Sequence, residues 1–414
     1  MRRSLWFLFV LGSACGTPAS DDTAESTDDA SSSGSSGGDS RGPGEVDGAT
    51  PPEASTGVGE STGVGDDDST GDCDELPCQE LGPTLLWSAV SDEVYGDGFC
   101  QSVTEDGAGG LFAAYLGYGW EAYSDVFAVD ADGTITGYGR GLDAGTYVDL
   151  APRGPGLFDW AAQSGQVGIA DTSLTNLDGG MLGFDVDQIR AMVRGPDTLH
   201  YVARTTPAFA CVVRVGTDAS TDSLPFPCAP NFTEESLHID GLGNRYYAEP
   251  TAYRILRIDP AGLLYGSVDG RWNRVGLDAA VDPDGYVWIV GAIGSEPTNV
   301  FGGFIARHDF DLSADPTFED AAEGAIVWTS VAMTDLGPVV FGHEGYGEYM
   351  HARGYDFEGT QRWSWSQEVL PQTYVNELSV DADGNLLVCG FEYMGVQTPV
   401  LGDARHPLFM KFEL

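Results

Sequence analysis

An all-β fold, a seven-bladed β-propeller of four-stranded antiparallel blades, is what this sequence predicts, and three observations predict it. A strand, Asp/Gly turn, strand phrase recurs at a spacing of roughly 45 residues, the size of one blade. The chain holds 57 Gly and 11 % aromatic residues, a composition suited to packed strands joined by tight turns. Little in it carries the 3.6-residue apolar periodicity of a sizeable helix.

The reference copy of the phrase is Val281-Asp-Pro-Asp-Gly-Tyr-Val-Trp-Ile-Val-Gly291. It reads as a strand end, a tight turn, and a strand rich in β-branched and aromatic residues. Further copies run Val103–Tyr115, Leu150–Trp160, Met192–Val202, Ile239–Tyr247, Met333–Phe341 and Val380–Val388. A second phrase follows, clearest at Val126–Thr134, Arg254–Gly262 and Ala352–Thr360, and leads into outer strands such as Gln361–Trp365. One unit is therefore strand A, turn, strand B, variable loop, strand C, turn, strand D. The copies at Leu150 and Met192 are degenerate, which leaves six or eight blades open.

The last unit reaches only a C strand, Leu408–Leu414, whereas Thr84-Leu-Leu-Trp-Ser88 precedes the first copy as a spare strand. Pairing the two would close the ring and remove two exposed edges. On these repeats, the stretch from about Thr84 to Leu414 resembles the secreted bacterial β-propellers with NHL-like or delta-60-like repeats. That resemblance implies the fold and brings no functional motif, because propellers serve many unrelated functions.

The amino terminus supplies an address. Met1-Arg-Arg3 and the apolar run to Leu11 form an export signal too short to span a bilayer. Gly12-Ser-Ala-Cys15 resembles the lipobox of bacterial lipoproteins, with Gly12 where leucine is usual. Residues 1–15 are thus expected to be a signal peptide ending at a lipidated Cys15, with ordinary cleavage and release as the alternative. Gly16 after the cysteine would by the same resemblance permit sorting to the outer membrane or cell surface. Residues 16–72 are Ser, Thr, Gly, Asp, Glu and Pro with almost nothing apolar, too little to offset the entropy of ordering, so a disordered acidic tether is expected. Residues 73–414 form the propeller domain.

A formal net charge of -45 excludes a phosphate-binding surface, since nucleic-acid affinity rests on cations displacing counterions. Lys411 is the chain's single lysine. This removes Schiff-base, Walker-loop and Ser-x-x-Lys chemistry unless Lys411 itself served. Beyond Cys15, six cysteines remain, an even number suited to an oxidising compartment. The expected pairs are Cys73–Cys78 where tether meets body, Cys211–Cys228 within one unit, and Cys100–Cys389 across the seam of the closed ring. No Cys-x-x-Cys spacing suggests a metal.

The Asp-x-Asp-Gly turns at Asp130, Asp282 and Asp381 invite a structural Ca²⁺, yet none carries the full oxygen set of a Ca²⁺ loop. They are read as hairpin turns, with no cofactor. His343 and His351 flank one loop without a third ligand. A–B and C–D turns share one face of a propeller, and B–C and D–A loops share the other. The second face receives Tyr118, Trp120, Tyr123, Arg271, Trp272, His343, Glu344, Tyr346, Tyr349 and, beside Glu392, Tyr393. Aromatic rings beside carboxylates and arginine on variable loops suit a protein, peptide or glycan; the competing reading packs those rings against neighbouring loops. The expected molecule is a monomeric, exported, non-catalytic binding module that meets the membrane only through its lipid. The alternatives are an extracellular hydrolase or lyase with acids near the channel, and a structural envelope protein.

Overall fold

The computed structural model describes residues 82–93, 98–117, 123–140, 147–162, 166–181, 188–194, 200–206, 209–215, 221–222, 229–230, 236–249, 253–261, 263–269, 274–294, 300–313, 315–323, 326–344, 347–369, 372–398 and 402–414. The chain divides into two units, Ser13–Cys78 and the rest; the first lies wholly outside the described residues. So do the expected signal peptide, Cys15, and the Cys73–Cys78 pair.

Every described element is a strand. Antiparallel sheets form from β2 (Phe99–Glu105), β3 (Leu111–Gly117), β4 (Tyr123–Val129) and β5 (Ile135–Arg140), and then from β6 (Tyr147–Gly154), β7 (Leu157–Ala162), β8 (Gln166–Asp171) and β9 (Asn176–Met181). Three more comprise β15 (Ser236–Ile239), β16 (Arg245–Glu249), β17 (Arg254–Ile258) and β18 (Leu264–Asp269); β19 (Arg274–Val281), β20 (Val287–Gly294), β21 (Val300–His308) and β22 (Phe318–Glu323); and β23 (Ile326–Thr334), β24 (Gly337–Glu344), β25 (Tyr349–Tyr355) and β26 (Gln361–Glu368). The closing sheet takes β27 (Gln372–Val380), β28 (Leu386–Thr398) and β29 (Gly402–Glu413) from the carboxyl end and β1 (Thr84–Val90) from the other.

One sheet departs from this plan. β10 (Gln188–Arg194), β11 (His200–Thr206) and β12 (Phe209–Val215) are followed by two short strands, β13 (Thr221–Asp222) and β14 (Ala229–Pro230), each paired with a different end of β12. The sheet is five-stranded, so the expectation of seven four-stranded blades is corrected: six blades are four-stranded, not seven. Residues 223–228 between these two short strands lie outside the described residues. The inner strands touch in sequence, β2 to β6, β10, β15, β19, β23 and β27, and β27 returns to β2. The result is an all-β propeller.

The closure expected from sequence is present. β1 pairs with β29, with Leu85 opposite Phe412 and Trp87 opposite Lys411. The seam to the first sheet is cross-linked by the Cys100–Cys389 disulfide, between Cα atoms 6.0 Å apart. Cys211 lies in β12, where its side chain is not described, and Cys228 lies outside the described residues.

Inner strands carry a β-bulge in six of the sheets, at Gln101, Val148, Arg190, Leu277, Thr329 and Asn376. Opposite three of them stands a glycine on strand B. A Cβ on Gly291, Gly342 or Gly390 would collide with the backbone oxygen of Val275, Val327 or Tyr374; only a residue without a side chain admits that approach. Cores lie between neighbouring sheets rather than within them, as where Phe341, Trp363, Val388 and Phe412 pack together.

Candidate binding face

The topology sorts the connections onto two faces. On one, several of the described turns are built by an opening aspartate. Asp130 Oδ1 accepts the N–H groups of Asp132 and Thr134 at 3.1 and 2.8 Å, and Asp240, Asp282, Asp356 and Asp381 repeat the arrangement. Gly133, Gly243, Gly285, Gly359 and Gly384 follow with positive φ, the left-handed conformation such turns require. Among the described residues, no group of three His, Cys, Asp or Glu is placed to hold a metal ion.

The opposite face is described mainly where β23–β26 meet the closing sheet. His343, near the end of β24, is buried and meets the Tyr374 ring edge-on at 4.9 Å. Tyr374 stacks on Phe391 at 4.9 Å, and the Arg405 guanidinium lies 4.5 Å from the Phe391 centroid. Outside this stack, Tyr349 lies over His351, whose Nε2 is 3.2 Å from Glu344 Oε2. The Glu344 side chain is 45 % exposed and Tyr349 is 38 % exposed. Two backbone bonds, Thr373 N–H to Gly347 O and Val369 N–H to Glu348 O, both 2.9 Å, tie the two loops together. Beside them a groove of about 210 Å³ runs between the sheets, lined by Met350, Leu408, Met410, Glu368 and Glu392.

Burial sets the protonation states here. It pushes the His343 imidazole down to about 4, with His351 adding to the effect. Burial likewise lowers His351, against the hydrogen bond and charge of Glu344. The Glu392 carboxyl is raised by burial, opposed by His406. His343 is thus a neutral packing group, whereas Glu344 and Tyr349 stand open to a ligand.

Of the other expected binding residues, Tyr393 lies on β28 opposite Gln372. Tyr123 opens β4, where its side chain is not described. Tyr118, Trp120, Arg271, Trp272 and Tyr346 fall outside the described residues. Sequence reasoning missed Tyr374, Phe391 and Arg405 as the stack behind Tyr349. Counting back from the Asp381 turn would set Phe391 opposite Val375; the bulge at Asn376 moves it opposite Tyr374.

The axis offers a different chemistry. A cavity of about 250 Å³ is lined by Val193, Ile239, Val281, Met333 and Val380 with His238 and Ser379, and among the described residues no carboxylate belongs to its wall. Two acids on the inner strands, Asp278 and Asp149, hold neighbouring sheets together. Asp278 accepts Ala279 N–H at 2.7 Å, Ser330 Oγ–H at 2.8 Å and Val331 N–H at 2.9 Å. Asp149 does the same with Leu150 N–H at 2.9 Å, Ser102 Oγ–H at 2.7 Å and Met192 N–H at 2.8 Å. Each sits directly after a bulge, so the extra residue turns a carboxylate onto the next sheet's backbone. Buried carboxylates need such donors.

The fold makes this chain a β-propeller, and one solved structure superposes on it with a TM-score above 0.5. The WD40 β-propeller domain of Doa1 superposes with a TM-score of 0.53 at 12 % identity, over 81 % of this chain and 98 % of that one. A catalytically inactive virginiamycin B lyase from Staphylococcus aureus with quinupristin gives 0.49 at 12 % identity, over 78 % and 98 %. The carboxyl-terminal WD40 domain of Sif2 gives 0.47 at 9 %, over 78 % and 97 %. No protein-family model matches the chain, and no curated protein matches it.

Proposed function

We propose that this protein is a non-catalytic binding module that takes a protein, peptide or glycan on its B–C/D–A loop face. The observation that carries the reading is the contrast between that face and the axis. Tyr349 and Glu344 are open beside a rigid stack of His343, Tyr374 and Phe391, which is how a ring-and-carboxylate surface is held ready for sugar or peptide. The described axial wall is made of aliphatic side chains with His238 and Ser379, and the inner-strand acids Asp149 and Asp278 are committed to backbone donors. General acid–base work needs a carboxyl within reach of substrate, so this arrangement favours binding over hydrolysis or lysis. On this proposal the molecule is exported, anchored through acylated Cys15, and held off the membrane by residues 16–72.

A glycan and peptide array probed with the parent chain and with Tyr349→Ala/Glu344→Gln tests the reading. Ligands of the parent should be lost in the variant, and Trp120→Ala and Trp272→Ala should weaken them further. Retention of every ligand by all of these variants would refute the loop face as the site.

A further inference from the structure

The turn face looks monotonous in sequence, yet it surrounds a cavity whose lining side chains are mostly aliphatic, with His238 and Ser379 among them. Val193, Ile239, Val281, Met333 and Val380 each lie at or next to the end of an inner strand, directly before an A–B turn, and all line the same space of about 250 Å³. An apolar cavity of roughly 150 Å³ already accommodates benzene, so this one has room for a large aliphatic or aromatic side chain.

The rim is patterned. In five of the described A–B turns the side chain that opens the turn accepts the N–H of the residue two places on, which fixes that residue at the tip. The residues so held are Leu242, Asp284, Leu336, Asp383 and Ala108, in five successive sheets around the axis. Apolar and acidic tips therefore alternate. Leu242 is 75 % exposed and Leu336 54 % exposed, each three residues beyond a cavity-lining Ile239 or Met333. Two leucines this open gain nothing for folding where they stand, and apolar surface grouped round a cavity marks an interaction site. Two nearby cations are already engaged. Lys411 Nζ pairs with Asp381 at 2.8 Å, and Arg257 donates to Phe310 O at 2.8 Å while lying over the Tyr246 ring. Asp284 and Asp383 thus present negative charge between the leucines.

We propose that the Asp/Gly-turn face docks a basic segment of another protein, one apolar side chain entering the axial cavity and flanking Arg or Lys residues meeting Asp284 and Asp383. This site is separate from the loop face and does not depend on it. Charge complementarity selects the occupant: an acidic segment would face Asp284 and Asp383 across an aliphatic mouth.

The test uses fluorescence anisotropy on the full chain with two labelled synthetic decapeptides, one alternating arginine and leucine, the other glutamate and leucine. The arginine peptide should bind and the glutamate peptide should not. Affinity should fall at least tenfold in Leu242→Asp/Leu336→Asp and in Asp284→Asn/Asp383→Asn, and should be unchanged in Tyr349→Ala. These tip side chains are exposed or lie at turn ends, and Leu242→Asn/Leu336→Asn serves if the aspartates disturb the fold. Binding that survives all rim variants is general attraction to an acidic chain and overturns the proposal. So does equal binding of both peptides, or absence of binding. A dimer in sedimentation that the leucine variants abolish would make the occupant a second copy, which also overturns it. Loss of array ligands in Tyr349→Ala with peptide binding intact separates this site from the loop face.

Discussion

Lys411 is the most exacting place to perturb the ring. It sits on β29 one residue before Phe412, its Nζ 2.8 Å from Asp381 Oδ2 in the same closing sheet and 2.7 Å from Gly109 O across the seam. The two charged side chains are 6 % and 4 % exposed, so neither is compensated by water. Removing one member of such a pair strands the other charge and costs about 3–5 kcal/mol. Lys411→Met keeps the length of the stem, so packing is nearly conserved and the loss is electrostatic. Asp381 keeps its bonds from Asn385 Nδ2 at 3.0 Å and from the turn N–H groups, which places the expected loss near the lower end, about 3 kcal/mol. Burial raises the Asp381 carboxyl, but the Lys411 and Asn385 hydrogen bonds outweigh it and hold the group below the usual carboxylate value. A depressed folded value contributes stability above the unfolded pKa of about 3.9, lost as pH falls through the folded one. The gap between parent and Lys411→Met should therefore be full at pH 7 and shrink toward about pH 3. Guanidinium unfolding followed by tryptophan fluorescence at both pH values measures it. A gap under about 0.5 kcal/mol at neutral pH, the range of inert surface changes, would refute the buried ion pair. A gap unchanged in acid would refute its electrostatic origin.

Other perturbations address the remaining joints. Deleting Leu408–Leu414 removes β1's partner and should abolish the cooperative melt; an unchanged melting temperature would contradict the closure. Asp278→Leu leaves Ser330 and Val331 donors buried without an acceptor and should cost about 2–5 kcal/mol, whereas exposed Asp132→Leu should be near neutral in the same urea titration. Gly342→Ala must displace the Val327 carbonyl and should destabilise by roughly 1–3 kcal/mol, read as a lower denaturation midpoint at unchanged slope. His343 is neutral in the folded state down to about pH 4, while an unfolded histidine protonates near 6.5. Its contribution is thus full above about 6.5 and lost as pH falls toward 4; the parent should weaken over that window more steeply than His343→Asn, and parallel pH–stability curves would count against it.

Much of the fold was legible because its turns are encoded locally. An opening Asp and a Gly three residues on, as in Asp282–Gly285 or Asp381–Gly384, are what the backbone needs at those positions, so the sequence states them directly. Ring closure was legible for a related reason: Thr84–Ser88 and Leu408–Leu414 were each a strand lacking a partner. The five-stranded sheet was not, because nothing local in Phe209–Pro230 says where two-residue fragments will pair. The inner-strand bulges were also hidden. Nothing local marks Leu277 or Asn376 as the extra residue, yet that residue decides that Asp278 turns toward Ser330 and that Tyr374 meets Phe391. Part of the binding face inherits this ambiguity, since Tyr374, Phe391 and Arg405 become neighbours only once the register is known.

The same local encoding explains why the turn face is free to carry information. In Asp240–Asn244 the first residue, the glycine and the last N–H are fixed by hydrogen bonding and φ. The residue at the tip contributes only its N–H to the turn, so its side chain is unconstrained by the fold. Turn chemistry alone would favour a polar residue there, as Asp284 and Asp383 are. Leu242 and Leu336 break that preference beside the axial cavity. Solvation opposes two open leucines, and the turn does not require them. A face whose backbone repeats while its tips alternate between apolar residues and aspartate is therefore better explained by what it meets than by how it folds.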